Sequence, residues 1–417
     1  RHDAISHFDN FWWTQRRMIK QTGGGNGATA LGIGWIIVIL VALTAAVGQS
    51  FGRFSFGILL PAIRDDLGIS NTLVGMLGAA NVGAYLLGTL AVAWATSRYR
   101  LIKVMRLGLV LATLGLLVAS VAGSAAMLAF SLFVMGVGGA FLWIPAPVIA
   151  ADAMPASRRS IAVGLMSSGI GLGVMFASVL SGGLRSSLGD SAWSSVYQTQ
   201  CAIALVVLIL ALLLVRHQQD LPSGSGGLGG FGALQRMSGW LPLLVAYSAF
   251  GFMYLLVMGF LTTRLEDDNG WYSADASLAF SVMGFAMIFG GPIFTTIAQR
   301  LGVRKTLAIA FGLWPLMLGV VLSGVFALVV PACVILGLLF SGLPILITLY
   351  VVENTTAADY GPSFAAATLA FGIAQTVAPP IGGVIADQSG TFLFVFLLSA
   401  ATSLVGLVAA LRLPKTG

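Results

Sequence analysis

Arg53 stands in the stretch GQSFGRFSFG, Gly48 to Gly57, inside a long apolar segment. A guanidinium presents five N–H donors in a rigid planar fork and stays charged at any physiological pH, which suits it to carboxylate, sulfonate or phosphate. An arginine at mid-bilayer costs about 3 kcal/mol or more, so such residues face a cavity or a partner. No Asp, Glu or His lies in the middle of an apolar segment to pair with it; the nearest acids stand at segment ends. Two readings are open. Arg53 anchors an anionic substrate, or it hydrogen-bonds backbone carbonyls at a helix break or snorkels toward one face.

Other polar residues share helical faces with it or lie in comparable segments. Gln49 and Arg53 are four apart, as are Asn81 and Tyr85, so each pair shares a helix face. Tyr247, Gly251 and Tyr254 run along one face of a later segment, and Gln375 lies in another. Gln198, Trp143 and Thr348 are weaker candidates. Each of these amides, phenols and hydroxyls would serve a substrate or, equally, a neighbouring helix, because buried polar groups require hydrogen-bond partners.

The elements that position these residues follow from composition. The 417-residue chain is 58% hydrophobic and only 8% charged; a soluble domain carries about a quarter charged residues. Its mean hydropathy is +0.97, so lipid must solvate much of its surface. Fifty-three glycines match the close helix packing of membrane bundles. The net charge of +7 is not gathered on a soluble domain, which argues against nucleic acid as a partner. With two Cys in apolar segments and three His, no metal centre, disulfide or redox cofactor is expected. No Walker-type loop supports ATP-driven pumping, and no cofactor is implied.

Twelve segments are long and apolar enough to cross a bilayer: about 33–62, 72–96, 104–122, 125–151, 161–184, 196–215, 240–263, 276–298, 305–325, 327–352, 363–386 and 391–411. Strand-like alternation is absent, so these are read as helices. If both termini are cytoplasmic, 17 of the 21 Lys and Arg residues fall on that side. Arg64, Arg185 and Arg264 lie outside and Arg53 lies within, while Asp65-Asp66 and Glu266-Asp267-Asp268 fall outside. The expected location is therefore the inner (plasma) membrane, multi-pass. The aromatic and basic residues 1–30 read either as an interfacial helix or as a disordered cytoplasmic tail.

The two halves repeat at an offset near 200 residues. SFGRF at 50–54 aligns with AFGFM at 249–253, AIRDDLG at 62–68 with TRLEDDNG at 263–270, and SRYRLIK at 97–103 with QRLGVRK at 299–305. Asp152 aligns with Glu353, Gly171 with Gly372, and Gly182-Gly183 with Gly382-Gly383. Between the halves runs DLPSGSGGLGGFG, a Gly/Ser-rich linker. The expected organisation is an all-α polytopic membrane protein of two pseudo-symmetric six-helix bundles, 31–216 and 239–412, joined by a cytoplasmic linker at 217–238 and ending in a short tail at 413–417. In this alignment Arg53 corresponds to Phe252, so the cavity wall of the first half is expected to be cationic and that of the second half aromatic, which suits an amphipathic anion such as an aromatic or short-chain carboxylate.

From about residue 30 onward the sequence resembles the bacterial members of the major facilitator superfamily (MFS) of secondary transporters. That resemblance implies a substrate site between the halves, lined by the first and seventh helices. The family's basic turn after the second helix is degraded here, with Ser97 and Arg100 at key positions. The second copy retains Arg300, Gly302, Arg304 and Lys305 but has Gln299 in place of the acid. The resemblance implies a cytoplasmic charge lock formed by Arg98, Arg100, Arg300 and Arg304 with Asp152 and Glu353. PASRRSIAVGLMSSGIGLG, residues 155–173, resembles monocarboxylate and oxalate-formate carriers, although Gly164, Gly169 and Gly173 also fit simple helix packing. Leu132 stands where drug–proton antiporters carry arginine.

The sequence therefore reads as a secondary or facilitative transporter of a small organic anion, working by alternating access, as a monomer, with or without a coupled proton or other ion. It is not read as an enzyme. The expected substrate-binding residues are Arg53, Gln49, Asn81, Tyr85, Tyr247, Tyr254 and Gln375. Two alternatives remain open: an efflux pump for hydrophobic compounds, and a non-transporting receptor or assembly partner of the same fold.

Overall fold

A computed structural model describes residues 27–215 and 230–414. The N-terminal aromatic-basic stretch, most of the Gly/Ser-rich linker and the last three residues lie outside the described residues. Twelve helices long and apolar enough to cross a membrane are found among the described residues. We number them α1 (Leu31–Leu67), α2 (Asn71–Thr96), α3 (Leu101–Ser120), α4 (Ala125–Asp152), α5 (Ala156–Leu188), α6 (Asp190–Leu214), α7 (Trp240–Asp268), α8 (Ser273–Leu301), α9 (Val303–Leu322), α10 (Phe326–Asn354), α11 (Ala358–Ser389) and α12 (Leu393–Arg412). Helices α1–α6 form one bundle and α7–α12 the other. The bundles meet where α2 packs on α11, α5 on α8, and α1 on α7. We call the end carrying the linker the linker face and the opposite end the far face.

The internal repeat extends to polar contacts. Arg106 on α3 donates to the carbonyl of Val215 at 2.6 Å, beyond the end of α6; Arg304 on α9 donates to the Leu411 carbonyl near the end of α12. Both cations sit where a helix leaves carbonyls without intrahelical donors. At the far face, the Trp193 indole donates to Asp66 at 2.8 Å and the Phe392 amide donates to Asp268 at 2.8 Å. In each half, the acid at the end of the first helix holds the start of the last.

The helices depart from regularity at two informative places. α1 is π-helical over Ala46–Phe54, the segment that contains Arg53. α4 breaks near Pro145, between Ala125–Trp143 and Ala146–Asp152. Part of the linker is helical too: Gly230–Arg236 forms a short helix, and Arg236 pairs with Asp359 on α11 at 2.6 Å. A methyl at Gly230 would overlap the Pro362 carbonyl, so glycine allows this helix to lie directly on α11.

Between described residues, the hydrogen bonds and ion pairs that cross from one bundle to the other lie between the level of Arg53 and the far face. They join Arg53 to Tyr254 and Gln375, Thr262 to the Gly57 carbonyl, Arg64 to Asp267, Arg185 to Glu266, and Asn71 and Thr72 to Asp387. Gly57 allows α1 and α7 to approach, because a methyl there would overlap the Met258 carbonyl oxygen. The bundles are thus fastened at the far face in this conformation.

Candidate substrate site

The π-helical turn of α1 is held by side chains that take up its displaced carbonyls. The Ser50 carbonyl accepts from the Ser55 amide, five residues on, and from the Ser55 hydroxyl at 3.1 Å. The Ser50 hydroxyl donates to the Ile170 carbonyl on α5 at 2.8 Å, and Gln200 on α6 donates to the Ser55 hydroxyl at 2.8 Å. Asn81 on α2 donates to the Gly52 carbonyl at 2.9 Å and to the Leu132 carbonyl at 2.8 Å. Carbonyls freed from regular helix hydrogen bonding find no water in a bilayer, so these donors are what makes the wide turn tolerable.

That turn carries Arg53 to the bundle interface. Its Nη2 donates to the Tyr254 hydroxyl at 2.9 Å and to the amide oxygen of Gln375. The Tyr254 hydroxyl donates to the same amide oxygen at 2.7 Å. The guanidinium carbon lies 5.3 Å from the Tyr85 ring centre and 5.6 Å from that of Phe54, within cation–π range. Among the described residues, no carboxylate pairs with Arg53, and its buried Nε has no hydrogen-bond partner. The site therefore holds a cation whose partners are all neutral. A small cavity of about 40 Å³ adjoins Arg53 on its far-face side, between Asn81, Leu60, Met258 and Pro379.

Of the residues expected from sequence, the structure brings Arg53, Tyr85, Tyr254 and Gln375 together. Gln49 is buried beside them, and its Nε2 has no partner among the described residues. Asn81 lines the small cavity, but both amide hydrogens are engaged by carbonyls. Tyr247 lies toward the linker face, with its ring stacked on Phe371 at 4.4 Å. Among the weaker candidates, Gln198 is exposed on α6 and Gln200 is the buried amide. Thr348 donates to the Pro344 carbonyl at 2.8 Å, a local role at a proline. Trp143 is half-buried where α4 breaks. On the second half, Tyr254 meets Arg53, with Phe250, Phe340 and Phe371 around it.

Between described residues, no arginine of the expected charge lock pairs with Asp152 or Glu353 in this conformation. Arg98 lies over the Trp94 ring at 4.5 Å, and Arg100 begins α3 by accepting the Lys103 and Val104 amides at its carbonyl. Arg304 holds α12, while Asp152, Arg300 and Glu353 form no ion pair with a described residue. Opposite charges instead meet across the bundles at the far face. Arg185 reaches Glu266 through two bonds of 2.8 and 2.7 Å, and Arg64 reaches Asp267. Asp387 on α11 accepts the amides of Asn71 and Thr72 at 3.0 and 2.7 Å, capping the start of α2 from the other bundle. The acidic clusters and lone arginines carry this pairing in the sequence, but there they read as topology signals alone.

Comparison with known proteins agrees with this architecture. A family model described as "Uncharacterised MFS-type transporter YbfB" matches residues 44–411. Human monocarboxylate transporter 6 is 23% identical over 415 residues, covering 92% of this chain and 82% of the relative. The cis,cis-muconate transport protein of Acinetobacter baylyi is 22% identical over 43% of this chain and 42% of its own length. A bacterial homolog of the human lysosomal transporter Spinster, solved in an inward-facing, unoccupied conformation, superposes with a TM-score of 0.68 at 15% identity, covering 93% of this chain and 95% of that one. Twelve helices in two repeated bundles, matched over nearly the whole length, lead to one conclusion: the chain belongs to the MFS-type transporter family.

Proposed function

We propose that this transporter moves a small organic anion of the carboxylate type across the inner membrane by alternating access, with Arg53 as the anchor for its charge. The observation that carries this reading is the environment of Arg53. A guanidinium within the first membrane-spanning helix bridges the two bundles through neutral partners, and its buried Nε has no partner among the described residues. A carboxylate arriving there would neutralise the charge and supply bidentate acceptors. It would compete with Gln375 and Tyr254, which belong to the opposite bundle, so binding and the contact between bundles are linked.

The Lys and Arg distribution supports a cytoplasmic linker face with both termini on that side. On that orientation, the fastened far face corresponds to a state closed to the outside. The two relatives above are named for carboxylates, a monocarboxylate and muconate, which supports the substrate class. Purified protein in liposomes is expected to exchange labelled small carboxylates, and Arg53→Gln is expected to abolish that exchange while thermal unfolding stays near wild type. Unimpaired exchange by a folded Arg53→Gln variant would overturn the reading.

A further inference from the structure

Beside the Arg53 site, a continuous series of stacked rings runs toward the linker face. On α11, Tyr360, Phe364, Phe371 and Gln375 fall at helical spacing on one stripe; on α7, Tyr247, Phe250 and Tyr254 do the same. The two stripes interleave. Tyr360 stacks on Phe364 at 5.9 Å with 13° between planes, and Tyr247 lies between Phe364 and Phe371, 6.3 and 4.4 Å away. Phe371 is nearly parallel to Phe250 at 5.8 Å and 12°, and to Tyr254 at 6.1 Å and 11°. Phe340 on α10 meets Tyr254 edge-on at 5.1 Å. From Tyr360 to Phe371 the series climbs about 16 Å along α11 at the helical rise, and it ends at the hydroxyl that accepts from Arg53.

Packing of α7 on α11 accounts for part of this arrangement. Gly251 lets it form, since a methyl there would meet both the ring and the carbonyl of Phe371 at 2.7–2.8 Å. Packing does not bury it completely. Tyr247, Phe250 and Tyr254 are buried, whereas Phe340, Phe364 and Phe371 are only half-buried. Phe371 also lies one turn from Gln375 and stacks against Tyr254, the two groups that hold Arg53. A ligand whose carboxylate reaches Arg53 from the linker-face side would meet Phe371, nearly parallel to Phe250 and Tyr254, and Phe340, edge-on to Tyr254. A flat, conjugated body makes offset-stacked or edge contacts with such rings, while a saturated ring of equal size holds hydrogens out of its plane and loses them.

We infer that the site selects planar, π-conjugated monocarboxylates over saturated ones of the same size, with Phe371 and Phe340 as the discriminating side chains. This inference rests on the carboxylate reading of Arg53.

The test is calorimetric titration of the full chain in detergent at about pH 8, where the acids are ionised, with benzoate and cyclohexanecarboxylate as the probe pair. Benzoate is expected to bind about five- to tenfold more tightly. Phe371→Leu is expected to bring that ratio below about twofold, with Phe340→Leu as the second variant should Phe371→Leu lower stability. Equal affinities for the two acids, both lost in Arg53→Gln, would overturn the inference and leave the carboxylate anchor standing. So would a preference unchanged in both phenylalanine variants. Binding of neither acid would overturn both readings.

Discussion

The Arg185 guanidinium on α5 and the Glu266 carboxylate on α7 meet across the two bundles through parallel N–H···O bonds of 2.8 and 2.7 Å, with the arginine side chain almost fully buried. Arg185 also reaches Asp190 at 2.7 Å, within its own bundle. Opening the far face must separate Arg185 from Glu266 while the Asp190 contact remains. The arginine thus keeps a partner in either state, and the pair biases the equilibrium without making it irreversible.

Glu266→Gln is therefore expected to shift the population toward a far-face-open state. Removing one member of a buried pair costs about 3 kcal/mol or more when the remaining charge has no other partner; Asp190 reduces that figure here. Spin labels at exposed Ser187 and Tyr272, at the far-face ends of α5 and α8, report the change. A longer distance component should appear in Glu266→Gln and diminish in the Arg185→Glu/Glu266→Arg exchange variant. An unchanged distribution would remove the pair from the account of gating.

Asp387 caps α2 from the opposite bundle, so its loss should act in the same direction with a smaller effect. Asp387→Ala leaves the Asn71 and Thr72 amides without their acceptor, and lost N-terminal caps cost about 1 kcal/mol. The same labels should show a smaller shift than in Glu266→Gln. A larger shift would reverse the ranking of the two contacts.

Gly57→Ala should block full closure of the far face, because the added methyl would meet the Met258 carbonyl, a backbone atom that cannot rotate away. Gly164→Ala on α5 is the matched control, since nothing lies near the added methyl, and alanine in a helix interior stabilises by about 0.5–1 kcal/mol. Transport should fall in the first variant and persist in the second. Equal transport by the two would show that the α1–α7 approach is not needed for the cycle.

Asn81→Leu should lower thermal stability before it alters specificity. Its two donors serve the Gly52 and Leu132 carbonyls, and an unsatisfied buried acceptor costs about 1–3 kcal/mol. A reduced unfolding temperature, with the ranking of substrates preserved, is the expected result. A stable variant with altered ranking would return Asn81 to direct substrate contact.

Twelve spans, two bundles and the central position of Arg53 were legible in the sequence, because lipid imposes length, apolarity and charge asymmetry on every crossing segment. The expected end of the first span near residue 62 falls short. Arg64, Asp65 and Asp66 stay helical to Leu67: Arg64 pairs with Asp65 and, across the interface, with Asp267, and Asp66 accepts from the Trp193 indole. The π-helical turn was not legible: its cause lies in Asn81, Gln200 and the Ile170 carbonyl on three other helices. Gln198 is exposed and Gln200 buried for a related reason, since residues two apart on a helix point to nearly opposite faces and the sequence alone does not say which face is lipid. Phe371 is not legible in the sequence, because one phenylalanine among 25 carries no signal until α7 and α11 are placed together.

The most direct test of the central claim is equilibrium binding of benzoate and of its neutral amide to the purified wild-type protein and to Arg53→Gln. If Arg53 anchors the anion, the wild type binds the carboxylate with saturable heat and the amide much more weakly. Arg53→Gln, folded to a similar unfolding temperature, should then lose about ten- to a hundredfold in carboxylate affinity, the scale of a charge-assisted hydrogen bond. Carboxylate affinity unchanged by Arg53→Gln, or equal affinity for acid and amide in the wild type, would contradict the account.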